Sequence, residues 1–143
     1  MWLRAFPLAL SLVAFTACGN KSVSDYPPPS PAPTVVSCAD APQLRQRAVE
    51  DRRQSEELNS DHEKIYVGNR ASFFASLAII ADLKCKVTLV EADEALKPAL
   101  EAARKAEDAS SMYERAFRWS EADFIATQVI ALQIQKLPAK PSK

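Results

Sequence analysis

The chain has 143 residues, with 18 lysines and arginines against 18 aspartates and glutamates and a single histidine. A zero net charge offers no electrostatic reason to bind nucleic acid, which needs a basic face. The length suits one domain, since domains cluster near 100–150 residues.

Residues 1–17 carry one charge, Arg4, followed by an apolar run from Ala5 to Phe15 and the small pair Thr16-Ala17. An apolar core of about 11 residues is too short to cross a bilayer as a helix, and the layout is that of an export signal. An ordinary leader wants a small residue three before the cut, where this chain has Phe15.

Phe15-Thr16-Ala17-Cys18 resembles the lipobox of bacterial lipoproteins, with Phe15 in the place of the usual Leu. The resemblance implies cleavage before Cys18 and lipidation of that cysteine with diacylglycerol and an acyl chain such as palmitate. Gly19 rather than Asp at the next position implies delivery to the outer membrane, with the body facing the periplasm. Cleavage there removes 17 of the 143 residues and leaves 126, with 17 basic and 18 acidic side chains once Arg4 is gone. One acyl chain binds a membrane reversibly, whereas several hold durably.

Residues 18–37 read as the lipidated cysteine and a linker. Pro27-Pro28-Pro29-Ser30-Pro31-Ala32-Pro33 has no helix or strand option, because proline fixes φ and lacks a donor. It predicts a semi-rigid polyproline spacer at about 3.1 Å per residue; a ligand for an aromatic-lined groove is the other reading. With Cys18 assigned to the anchor, Cys38 and Cys85 form the natural disulfide of an exported chain.

Residues 38–137 read as all-α, a three- or four-helix bundle with one disulfide. Asp40 as N-cap, Pro42 in the first turn and Gln43 open a first helix that runs to Glu57. Its stripe of Leu44, Ala48, Asp51, Ser55, Leu58, His62 and Ile65 has three polar members, so this helix is expected to lie outermost or to project. The first turn falls at Asn59-Ser60 or at Gly68-Asn69. Only the earlier one brings Cys38 within bridging distance of Cys85. Phe73, Phe74, Leu77, Ile80 and Leu83 mark a second helix that is apolar on nearly every face and therefore buried. It is expected to run to Leu96 or Lys97 and to stop at Pro98. A third helix then spans Ala99 to Arg118, and Ser120-Glu121-Ala122-Asp123 opens a fourth that ends at Leu137 before Pro138. Residues 138–143 form a short basic tail.

The sequence gives an enzyme little to work with. His62 stands alone between Asp61 and Glu63, which do not face it on a helix, so no metal or other cofactor is expected. No phosphate loop, nucleophile motif or Cys-x-x-Cys is present. The strongest binding feature is Tyr113 to Phe124, which gathers four aromatics with Arg115 and Arg118 at an expected helix–helix corner. Tyr113, Arg115, Phe117, Arg118 and Trp119 are candidate partner-binding residues of the types that carry interface energy; alternatively the aromatics plug the end of the bundle.

The reading is a non-catalytic outer-membrane lipoprotein whose helical periplasmic domain binds another envelope protein as an assembly factor or adaptor. Its layout of anchor, linker, helices and one disulfide is similar to that of helical pilotin lipoproteins, with no motif shared residue by residue. Two alternatives are a structural spacer acting as a homo-oligomer and a small-ligand or inhibitor-type binding protein.

Overall fold

The computed structural model describes residues 20–140. The expected signal segment, the lipobox-like stretch with Cys18, and residues 141–143 lie outside them. Four helices make the body: α1 (Ala41–Glu57), α2 (Asp61–Lys84), α3 (Val90–Asp108) and α4 (Met112–Gln135). Short 3-10 turns at Val23–Asp25 and Cys38–Asp40 precede them. Among the described residues there is no strand, only an isolated bridge between Lys21 and Leu58.

α2 is the central element, packed between α1 on one side and α4 on the other, and α3 packs on α4. Its buried side chains include Tyr66, Val67, Phe73, Phe74, Leu77, Ile80 and Leu83, which accords with the apolar surround of its sequence. The Arg45–Asp82 and Arg70–Asp51 pairs set α1 antiparallel to α2. Contacts of Asn69 with Ala116, of Ser72 with Asp123 and of Gln133 with Ile80 set α4 parallel to α2. The bundle thus has two ends. At the turn end lie Leu58–Ser60 and the α3–α4 connection at Ala109–Ser111; at the disulfide end lie Cys38, Cys85 and the loop to Leu89.

The first turn is the earlier of the two expected, with Ser60 as N-cap of α2. Gly68 sits within that helix, where a Cβ would meet nothing. The Cys38–Cys85 disulfide forms across a Cα separation of 5.0 Å. Closing a loop of this length contributes on the order of 4 kcal/mol in the chain-entropy account. Asp40 precedes α1, but its carboxylate turns back to accept from the Ser37 N–H at 2.6 Å instead of capping α1. That bond lowers its pKa.

α1 is an outer helix, packed on α2, as its thin stripe leads one to expect, and its Leu44, Ala48, Asp51 and Gln54 are all buried. The helix boundaries are corrected. α2 stops at Lys84, not at Pro98, and Pro98 lies inside α3. Pro98 and Glu94, whose carbonyl loses its helical donor, are both exposed, so water can satisfy the carbonyl and proline's cost falls on a wet face. The break falls instead where Val87 and Thr88, β-branched and poor in helix propensity, follow the disulfide. The third boundary also moves. Ser120–Asp123 is mid-helix, and the N-cap of α4 is Ser111, whose hydroxyl accepts from the Glu114 N–H at 3.1 Å.

The Pro-rich segment does not stand away from the body. From Lys21 to Val36 it runs along the bundle as a strap, from the turn end to the disulfide end. Lys21 O accepts from the Asn59 N–H at 2.9 Å, Ser22 Oγ and Val23 N–H donate to Glu63, and Val36 is buried. At its far end the Lys84 ammonium donates to Val36 O.

Candidate functional site

The Tyr113–Phe124 stretch is one face of a continuous α4, not a corner between two helices. A straight helix sorts its residues by angle, and the candidates divide accordingly. Trp119 is 1% exposed and packs on Phe73 and Phe74 at centroid distances of 5.5 and 5.9 Å. It belongs to the core. Arg115 donates its Nε to Ala109 O at 2.7 Å, which ties the start of α4 to the end of α3.

Tyr113, Phe117 and Phe124 stand outward, 72%, 63% and 67% exposed. Spacings of four and seven residues put them on a single face, together with uncharged Ser120, Thr127 and Ala131. Tyr113 leans on His62 of α2 at 4.9 Å. Arg118 lies over the Phe117 ring at 5.6 Å and pairs with Glu121 at 2.9 Å. Phe124 was not among the candidate residues, since a helix boundary at Ser120 separates it from Phe117. The Ser111-x-x-Glu114 capping box, read from the sequence, would have joined them.

A second feature escaped the sequence reading. Between the strap and α1 lies a cleft of about 540 Å³, lined by Tyr26, Pro28, Pro31, Arg47, Asp51 and Phe74 among others. Beneath it is a buried ionic cluster. Arg70, 1% exposed, makes a two-bond fork to Asp51 at 2.7 and 2.8 Å, and two of its three other N–H groups reach Tyr66 Oη and Gln54 Oε1. Burial opposes its charge, yet the bonds to Asp51 prevail and its pKa is raised. Arg47 stacks on Phe74 at 3.7 Å and donates to Pro31 O at 3.1 Å. Burial lowers its pKa, and its Nη2 finds no protein acceptor among the described residues.

The strap is held mainly by carboxylates. Glu57 accepts from Lys21 at 2.7 Å, from Tyr26 Oη at 2.6 Å and from Arg53 at 2.6 Å. The hydrogen bond from Lys21, then that from Tyr26, hold the Glu57 carboxyl at about 2. Glu107 accepts from the Ala32 N–H at 2.6 Å; burial pushes its pKa up despite that bond.

Among the described residues no group of three or more His, Cys, Asp or Glu side chains is placed to hold a metal ion. No helix there is long and apolar enough to cross a membrane. No known protein family matches the sequence, and neither a curated protein nor a solved structure shows significant similarity to it.

Two outcomes follow from this geometry. Trp119→Ala should cost about 3–5 kcal/mol of stability, as expected for a large aromatic cut from a core, whereas Phe124→Ala should stay within about 0.5 kcal/mol. Urea unfolding of the two variants measures both. Glu57, depressed in the fold, contributes stability above its unfolded pKa, and that contribution is lost as pH falls from 4.5 towards about 2. Glu107, raised in the fold, acts with the opposite sign. A carboxyl NMR titration should therefore find Glu57 near 2 in the intact protein and closer to 4.5 in a Lys21→Met, Tyr26→Phe variant.

Proposed function

We propose that this protein is a lipid-anchored adaptor of the bacterial envelope whose body docks another envelope protein on the exposed face of α4. The single observation that carries the docking surface is the row of Tyr113, Phe117 and Phe124, each well over half exposed on one face of α4. Contiguous exposed apolar surface marks interaction sites on soluble domains. Aromatic side chains gain most from being covered at an interface. From Tyr113 to Ala131 the face runs about 27 Å along the helix axis, a length that an apolar helix of a partner would cover.

The lipid anchor and the outer-membrane location rest on the lipobox-like Phe15-Thr16-Ala17-Cys18 and on Gly19. The absence of a nucleic-acid partner rests on charge balance. A homo-oligomeric spacer would use the same α4 face for self-association. A small-ligand protein would use the cleft over Arg47 instead.

Photo-crosslinking in cells separates these readings, with a crosslinking residue placed at Phe117 or at Phe124 and a control at Glu101 on α3. The adaptor reading expects one envelope protein attached at Phe117 and Phe124, not at Glu101, and lost when the other aromatic is changed to Glu. Crosslinks solely between copies of the chain would replace the adaptor by the oligomer. No product at either aromatic position would remove the α4 face from the account.

A further inference from the structure

The strap decides how far the body can stand from whatever holds Cys18. If residues 19–37 hung free, about 20 residues of polyproline at about 3.1 Å each would let the body sit roughly 60 Å away. The strap is not free. Its first fixed point is Lys21, bridged to Leu58 and accepting from the Asn59 N–H. Ser22 next holds Glu63 at 2.8 Å, and Tyr26 holds Glu57. Cys18 lies three residues before Lys21, and three residues of extended chain reach about 11 Å at most.

We infer that the strap is a short tether that seats the turn end of the bundle on the lipid surface holding Cys18. The inference rests on the lipid-anchor reading and adds to it an orientation. The seated end carries Leu58–Ser60, the first turn of α2 and the first turn of α4. Ile65 is 54% exposed there and Tyr113 72%. Tyr113, tilted against His62, presents an apolar ring with a polar tip, the kind of side chain that suits a membrane interface. Charge does not drive the contact. Glu56, Glu57, Asp61, Glu63, Asp108 and Glu114 outnumber Lys21, Arg53, Lys64 and Arg115 at this end, so the partner surface is zwitterionic lipid and the tether, not electrostatic attraction, imposes the approach. The disulfide end then points away. Lys136 lies 23 residues along α4 from Tyr113, about 35 Å distant; of the exposed α4 row Tyr113 then meets lipid, and the face left for a protein partner narrows to Phe117, Phe124 and the residues beyond them.

The test uses the full lipidated protein in phosphatidylcholine vesicles with and without brominated acyl chains, which quench tryptophan at short range. Beyond the leader the chain has one tryptophan, the buried Trp119, and that background is common to every sample. Tyr113→Trp should lose emission in the brominated vesicles, and Lys136→Trp should not. In Tyr113→Trp carrying Glu57→Lys and Glu63→Lys, which removes the carboxylates that hold Lys21, Ser22, Val23 and Tyr26 and so frees the start of the strap, the loss should disappear while helicity is retained. Equal loss from both reporters, no loss from either, or a loss that survives release of the strap in a folded variant overturns the tether. Intact mass reports on the anchor separately. A protein without lipid on Cys18 overturns the anchor and the tether together, whereas a lipidated protein with equal quenching overturns the tether alone.

Discussion

The guanidinium of Arg70 is sealed inside the bundle, and the fold is arranged so that it is not alone. A buried charge whose partner is removed typically costs 3–5 kcal/mol. Asp51 meets it with two parallel hydrogen bonds, and Tyr66 and Gln54 take two of its three other N–H donors. The fork geometry is strict, so the pair does more than neutralise charge. It fixes the register of α1 against α2. Arg45–Asp82 and Cys38–Cys85 fall in the same antiparallel register, so a slip of α1 by one turn would break all three at once. Arg47, one turn before Asp51, carries the arrangement outward by stacking on Phe74 and donating to Pro31. The strap thus covers the polar seam of the bundle, while the apolar core draws on all four helices.

Much of this was legible in the residues, and the parts that were not share a cause. The all-α class, the buried α2, the earlier turn and the disulfide followed from apolar period, capping boxes and chain length. The burial of α1's polar stripe was not legible, because Asp51 reads as a flaw in an apolar stripe unless its partner is known. Arg70 sits 19 residues away in a different helix, and local pattern carries no information about such a pairing. The two misplaced helix ends arose from weighing single residues too heavily. Pro98 is tolerated because its face is wet, and Ser120–Asp123 matches a cap but lies within a helix already opened by Ser111. Both are cases of tertiary context overriding propensity.

The strap is the largest departure from expectation. Prolines forbid helix and ladder pairing within a segment but do not forbid docking, because a polyproline stretch has little conformational entropy left to lose. Its carbonyls and few N–H groups still need partners, and Arg47, Lys84, Glu107 and Glu63 supply them. These partners come from α1, α2 and α3. A composition-based reading sees the prolines and not the side chains waiting for them. For function the consequence is positional: a segment expected to hold its body at a distance instead becomes part of that body, and the α4 aromatics acquire a defined place relative to Lys21, where the strap begins.

The most direct measurement of this account is backbone amide relaxation of residues 21–36 in solution, where Lys21–Tyr26, Ser30, Ala32 and Thr34–Val36 provide the N–H probes among the prolines. A strap folded onto the bundle predicts order parameters close to those of the helices, about 0.85. Values below about 0.6 across the same residues would describe a free linker, and they would contradict both the covered seam and the short tether.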